Sequence, residues 1–208
     1  MSEVFYYYGK NSSYVFEQFI RHFLISIYGV LFAALIAIPL GFFVARRKKL
    51  SRITISIANV MQTIPSLAML AILMFAIGTG PNTVVFAVFL YAILPILKNT
   101  VSGINSVTPE LIDAATGMGM TKKQLMTKVE LPLAISIIMG GIRNALVLAI
   151  GVTAVGTFIG AGGLGDIITR GITVANGSPI IIAGAIPTAL MAVLADLVLG
   201  TIENKLTP

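Results

Sequence analysis

Five long apolar stretches occupy most of this 208-residue sequence, and no other feature restricts its fold as strongly. A helix needs roughly 20 apolar residues to cross a ~30 Å hydrocarbon core, and lipid-exposed backbone must satisfy its own hydrogen bonds. Charged residues make up only 11% of the chain, and the mean hydropathy is +0.96. We therefore predict an all-α integral membrane protein with about five transmembrane helices, over about residues 22–45, 53–78, 83–97 with some extension, 132–159 and 179–200.

Basic residues lie at the ends of these runs, mainly within residues 46–52 and 98–128. Because cytoplasmic loops carry the excess of Lys and Arg, we predict that the N-terminus is outside and the C-terminus inside. An extracellular or interfacial segment is expected over 1–21, a transmembrane domain over 22–203 and a cytoplasmic tail over 204–208.

Composition argues against several other classes of protein. The pI of about 9.7 comes from dispersed basic residues and not from one patch, which excludes a nucleic-acid partner. The chain has no Cys, and its one histidine, His22, has no acidic cluster beside it, so we expect neither a metal site nor an intramembrane enzyme and assign His22 to the membrane interface. No Gly-x4-Gly-Lys-Ser/Thr run occurs, so this chain does not bind ATP through a P-loop.

A polar stretch separates the third run from the fourth. Thr108 is a good N-cap, Pro109 suits the first helical position, and Glu110 and Asp113 put negative charge near a helix N-terminus. These residues predict a short helix outside the membrane.

The short helix is expected to end at a bend formed by Gly117 and Gly119. After the bend, Thr121 and Gln124 have the spacing of a capping box, which predicts a second helix. The resulting helix–glycine–helix unit has an apolar face too small for a core. It either docks into another protein or lies on the membrane surface as an amphipathic helix.

The same stretch resembles the cytoplasmic coupling loop of the permease subunits of ABC importers. That loop reads Glu-Ala-Ala, three residues, Gly, nine residues and then Ile-x-Leu-Pro, and here Asp113 replaces the Glu and Val129 the Ile. By this resemblance, the residues that couple the chain to an ATPase are Glu110, Asp113, Ala114, Ala115, Gly117, Gly119, Leu131 and Pro132.

The resemblance runs from about residue 22 to the C-terminus, and segments 62–68, 94–100 and 157–166 are similar to the permeases of osmoprotectant importers for glycine betaine, carnitine and choline. It implies two cytoplasmic ABC ATPases that bind ATP and Mg, with no cofactor in this chain. It also implies a second permease, identical or a paralogue, an extracellular or lipid-anchored substrate-binding protein, and a bacterial cytoplasmic membrane. With no Trp for an aromatic cage, we expect the binding protein to select the quaternary amine. The alternatives are import of another small solute, such as an amino acid or a betaine-like metabolite, and a passive channel.

Two groups of candidate pathway or gate residues lie toward the middle and the outer end of the predicted spans. Gln62, Thr63 and Pro65 either break the second helix and line the route or form a proline kink with a locally bonded Thr. The glycines after the fourth span fit a close-packed or re-entrant turn better than a dinucleotide site, since no βαβ pattern surrounds them. Asp166 is expected either to pair locally with Arg170 or to contact solute. This second group comprises Gly160, Gly162, Gly163, Gly165 and Asp166.

Charged residues inside the fourth and fifth spans form the third group. Arg143 and Asp196 both fall in the inner half of the membrane, and Asn144 adjoins Arg143. Since charges within membranes usually face a partner or a wet cavity, we predict that Arg143 and Asp196 pair. The alternative is that each side chain snorkels to the inner surface.

Overall fold

A computed structural model describes residues 2–206, in which the regular secondary structure is all helical, without strands. Four helical segments are long and apolar enough to cross a membrane, and a bent pair of helices brings the number to five if the pair is counted as one broken span. This confirms the predicted all-α membrane fold with about five spans. In chain order the helices are α1 (Ser2–Ala45), α2 (Lys48–Thr63), α3 (Ser66–Ile77), α4 (Pro81–Asn105), α5 (Pro109–Gly117), α6 (Lys122–Leu125), α7 (Leu131–Val155), α8 (Leu164–Thr173) and α9 (Ser178–Leu206), with a π-helical turn over Met126–Glu130 and a 3-10 turn over Gly156–Ile159.

Helix α4 lies at the centre of the bundle, between α1 and α7. Small residues allow these helices to approach closely. A Cβ atom added at Gly29 of α1 would lie 2.3 Å from Val88 Cγ1, and one added at Gly141 of α7 would lie 2.7 Å from Asn99 Cβ. Such contacts matter because van der Waals packing, and not the hydrophobic effect, drives association of helices in lipid.

The structure shows the break in the second span that the sequence left open as one alternative, and the extension expected of the third. The run 53–78 is not one straight helix: α2 and α3 meet at a bend of 96°, because Pro65 cannot donate a helical hydrogen bond and disfavours helical geometry at Ile64. The expected extension of the third span beyond residue 97 amounts to eight residues, to Asn105. There the Thr100 hydroxyl donates to the Ile96 carbonyl within the helix, at 2.7 Å.

Helix α1 begins well before its apolar run, at Ser2, with non-helical dihedrals at Asn11. Its N-terminal part packs against α9, where the Tyr8 hydroxyl donates to the Ala183 carbonyl at 3.0 Å. The division into an outer segment (1–21), a transmembrane domain (22–203) and a cytoplasmic tail (204–208) stays a prediction. Residues 207 and 208 of the predicted tail lie outside the described residues.

Candidate functional site

The polar stretch between α4 and α7 forms the predicted helix–glycine–helix unit. Thr108 is the N-cap of α5 and Pro109 its first residue, although the Thr108 side chain makes no capping hydrogen bond. The bend is at Gly119, whose φ of +79° favours glycine. The predicted capping box is confirmed: the Gln124 N–H donates to Thr121 Oγ1, and the Thr121 N–H donates to Gln124 Oε1.

Most of α5 is exposed, including apolar side chains. Leu111 is 48% exposed and Met118 73%, while Ala115 is buried within the chain. A Cβ atom added at Gly119 would meet nothing within 4 Å, so nothing in the described chain crowds this bend. The unit therefore presents an open surface of apolar and acidic residues, with Glu110, Asp113 and Ala114 all exposed.

The π-helical turn brings the polar stretch back to the start of α7. Leu131 is half-buried and Pro132 exposed, and the residue before them, Glu130, is buried and paired with Arg46 at 2.7 Å. Sequence reasoning missed Glu130 because it occupies the unspecified position of the Ile-x-Leu-Pro pattern. Its signal was an acidic residue at the edge of an apolar run.

Two hydrogen bonds fasten the α2–α3 bend to α4. Pro95 has no N–H, so the Tyr91 carbonyl lacks its usual partner in α4, and Gln62 Nε2 donates to that carbonyl instead, at 2.7 Å. The Tyr91 hydroxyl in turn donates to the carbonyl of Ile64 at the bend. The Thr63 hydroxyl bonds within its own helix, to the Val60 carbonyl.

A polar cavity of about 460 Å³ lies between α2, α4 and α7. It brings together the predicted residues Gln62 and Asn144, while Thr63 and Pro65 do not line it. Sequence reasoning missed the residues from α4, which it treated as flanking the third span. The signal in the sequence was the spacing of Lys98, Asn99 and Ser102, which places these three polar side chains on one face of a helix. The lining residues are Gln62, Leu94, Pro95, Lys98, Asn99, Ser102, Asn144 and Leu148.

At the other end of α7, residues 160–165 form a turn rich in glycine, called here the glycine turn. Buried side chains of α1 hold it in place. The Gly163 N–H donates to Gln18 Oε1 at 2.7 Å, and the Leu164 N–H donates to His22 Nδ1 at 3.2 Å. His22 Nε2 must then carry the proton, and it donates to the Ile150 carbonyl at 3.0 Å. The side chain of His22 is fully buried within the bundle, a packing role that the sequence did not indicate, and its position at the membrane interface stays a prediction.

Backbone geometry explains the glycines of this turn. Gly160, Gly162 and Gly163 have φ between +71° and +84°, a region that favours glycine. Gly165 is required by proximity, since an added Cβ atom would lie 2.0 Å from the Ala154 carbonyl oxygen.

Asp166, in the first turn of α8, forms the expected local pair. Arg170 Nε donates to Asp166 Oδ2 at 2.9 Å, and the Tyr14 hydroxyl donates to the same oxygen. The Arg170 guanidinium also lies 4.6 Å from the centre of the Tyr14 ring, a cation–π distance. These contacts join the N-terminal part of α1 to α8.

Arg143 and Asp196 form the pair predicted from the sequence. Arg143 Nε and Nη2 donate to the two carboxylate oxygens of Asp196 at 2.6 and 2.9 Å. Arg143 Nη1 also donates to Glu203, at 3.2 Å. Sequence reasoning missed Glu203 because it lies beyond the predicted end of the last run. The arrangement joins α7 to α9 through one guanidinium and two carboxylates.

Comparison with known proteins identifies the class. Residues 37–208 match the family described as the binding-protein-dependent transport system inner membrane component, and the chain belongs to that family. It is 61% identical to the carnitine transport permease protein OpuCD of Listeria monocytogenes, over 97% of this chain and 91% of that protein. It is 58% identical to the glycine betaine/carnitine/choline transport system permease protein OpuCD of Bacillus subtilis, over 97% and 88%.

A solved structure shares the fold. The chain matches the MetNI methionine ABC transporter in an inward-facing conformation with a TM-score of 0.84, covering 93% of this chain and 96% of that one, at 21% identity. The chain is thus a membrane permease component, and its fold is that of a permease subunit of ABC importers.

Proposed function

We propose that this chain is the permease subunit of an ATP-driven importer for quaternary ammonium osmoprotectants such as glycine betaine, carnitine and choline. The names of the relatives at 61% and 58% identity support this class of solute. The chain has no Trp, and aromatic cages are the common way to hold quaternary ammonium groups. A separate extracellular or lipid-anchored binding protein therefore selects the solute.

The transport pathway runs along the polar cavity between α2, α4 and α7. Lys98, Ser102 and Asn144 are exposed at this cavity, and polar and charged groups are costly where they face lipid. A second permease, identical or a paralogue, therefore covers this face, and solute passes between the two subunits. Gln62 keeps the α2–α3 bend against the pathway through its bond to the Tyr91 carbonyl.

The exposed unit of α5, the Gly119 bend and α6 docks into a cytoplasmic ATPase. The observation that carries the proposal is its exposed apolar surface, with Leu111 48% and Met118 73% exposed outside the spans. Large exposed apolar side chains rimmed by polar ones mark protein interaction sites. Here the rim is acidic, since Glu110 and Asp113 flank Leu111 along α5.

Movement of this unit links ATP hydrolysis to transport. ATP and Mg bind to two partner ATPases, which close on each other, displace the coupling units and turn the pathway outward, and hydrolysis resets it inward. The pair of Arg143 and Asp196 fixes the inner end of the pathway, and the turn from Gly160 to Asp166 closes its outer end. The chain itself catalyses no covalent step.

Reconstitution tests this proposal. The chain is co-expressed with a candidate ATPase and binding protein, placed in liposomes and assayed for uptake and ATP hydrolysis with each amine. We expect glycine betaine, carnitine or choline to stimulate hydrolysis, and uptake to require the ATPase. Uptake that continues without the ATPase would identify a passive channel instead.

Orientation in the membrane is tested separately, with reporters fused after single residues. The positive-inside rule places Lys49 and Lys123 in the cytoplasm and Asn82 and Asn176 outside. Cytoplasmic labelling after Asn82 would overturn this arrangement of spans.

A further inference from the structure

A buried carboxylate at the end of the π-helical turn is paired with the end of α1. Glu130 is 9% exposed. Arg46, the first residue after α1, donates to Glu130 Oε1 from Nε at 3.1 Å and from Nη2 at 2.7 Å. We propose that Arg46 and Glu130 are positioning residues, which transmit movement of the coupling segment (residues 109–130) directly to α1. This inference rests on the proposed function, because it assumes that the segment is moved by an ATPase.

The pair has no equivalent elsewhere in the coupling segment. In the described part of the chain, the other side-chain hydrogen bonds of this segment are local: Thr116 bonds to Ile112, Thr127 to Lys123, and Thr121 bonds reciprocally with Gln124. The Arg46–Glu130 contact reaches a different helix. Force on the segment therefore has three routes into the bundle: the backbone into α4 at one end, the backbone into α7 at the other, and this ion pair to the end of α1.

The inner end of α1 is packed firmly enough to pass such a force on. Val44 is 1% and Ala45 4% exposed, and a Cβ atom added at Gly41 would lie 2.5 Å from Thr100 Cγ2 of α4. A displacement of Arg46 consequently moves the inner ends of α1 and α4 together. Since Lys98 and Ser102 of α4 line the polar cavity, the movement reaches the proposed pathway.

Electrostatics favours an Arg46–Glu130 contact that stays closed throughout the proposed cycle of ATP binding and hydrolysis. Hydrogen bonds between ionised groups are stronger than those between neutral ones, and a buried carboxylate that loses its partner keeps its desolvation cost without compensation. The Glu130 side chain is 12% exposed and that of Arg46 43%. Opening the pair would therefore leave Glu130, the more buried partner, without a counter-charge. The coupling segment and α1 consequently move as one unit.

The neighbouring arginine provides a matched control. Arg47 carries the same charge one residue further on, but its guanidinium lies over the Phe43 ring, 4.3 Å from the centre, and none of the carboxylates within residues 2–206 pairs with it. Arg46→Met and Arg47→Met are compared in the full complex in liposomes, with the solute taken up per ATP hydrolysed as the measurement. We expect Arg46→Met to lower this ratio severalfold and Arg47→Met to leave it unchanged.

A charge exchange separates force transmission from a general loss of structure. Arg46→Glu alone places two carboxylates together and should uncouple hydrolysis from uptake, whereas Arg46→Glu combined with Glu130→Arg should restore most of the ratio. If Arg46→Met does not assemble, Arg46→Lys is compared with Arg47→Lys, and we expect the former to keep an intermediate ratio.

Equal uptake per ATP in the Arg46 and Arg47 variants would overturn the inference and leave the proposed function intact. A wild-type complex in which no quaternary amine stimulates hydrolysis would instead reject the proposed function. The two failures are thus distinguishable in one set of liposomes.

Discussion

Two glycine-containing bends, one at each end of α7, have opposite surroundings. At the glycine turn, Gly163 and Leu164 donate hydrogen bonds to buried side chains of α1, and Gly165 has no room for a Cβ atom. At the coupling segment, Gly119 has a similar positive φ, but nothing lies within 4 Å of an added Cβ atom. The first bend is completed by its own chain, whereas the second leaves a surface that we assign to a partner. Substitutions at the two bends should therefore fail in different ways.

The largest expected effect on folding is that of Gly165→Ala. The new methyl group would lie 2.0 Å from the Ala154 carbonyl oxygen, and forcing extra atoms into a packed site costs about 1–3 kcal/mol or more. We expect a marked fall in folded yield and thermal stability in detergent. Gly117→Ala is the matched control, because that site in α5 is open and Ala favours a helix over Gly by roughly 0.5–1 kcal/mol. Equal losses of folded yield and thermal stability in the two variants would contradict the difference in packing between the glycine turn and the open bend.

His22→Leu should have the next largest effect. It removes the acceptor of the Leu164 N–H, and a buried donor left unpaired costs about 1–3 kcal/mol. It also removes the additional bond to the Ile150 carbonyl of α7. We expect a lower melting temperature, and proteolysis should become faster at the turn between α7 and α8. Phe23→Leu, at a neighbouring residue that is 38% exposed, serves as the control. Unchanged stability of His22→Leu would show that the glycine turn does not depend on α1.

The ion pairs of Arg143 with Asp196 and Glu203 are intermediate between the buried glycine turn and the open bend at Gly119, since their side chains are 27–39% exposed. An unpaired charge within a membrane span is costly, so removing one partner should be worse than replacing both with apolar groups. Arg143→Met leaves two carboxylates close together and should be the worse single change, while Asp196→Leu leaves Arg143 with Glu203. Folded yield and transport should be higher in the double variant than in Arg143→Met. Additive losses would show that the pair contributes no interaction energy.

The sequence predicted what depends on neighbours along the chain. Apolar runs located the spans, the spacing of Thr121 and Gln124 located a capping box, and the depth of Arg143 and Asp196 predicted their pairing. Apart from the pair of Arg143 and Asp196, which their common depth in the membrane made predictable, contacts between distant segments were missed. His22 looked interfacial because it begins an apolar run, and only the folded chain brings Gln18 and His22 to the glycine turn.

Parts of the candidate site were also missed, because they depend on contacts between distant segments. The bend at Ile64 was expected as one possibility, but its two bonds to Tyr91 join residues that are 27 and 29 positions apart in the chain. The polar cavity was missed because its polar α4 residues, Lys98, Asn99 and Ser102, lie past residue 97, in the continuation of α4 to Asn105. Glu130 escaped notice because its partner lies 84 positions earlier.

The coupling role of the open bend is tested most directly by uptake and ATPase stimulation in Gly119→Val. Valine is strained at a φ of +79°, but the site lies outside the spans and has open space around it. Gly9→Val is the control, since Gly9 is an open glycine at the opposite, N-terminal side of the bundle. We predict that Gly119→Val inserts in the membrane like the wild type while losing most uptake and ATPase stimulation, and that Gly9→Val retains both. Wild-type uptake and stimulation in Gly119→Val would contradict the assignment of α5 and its bend as the coupling element.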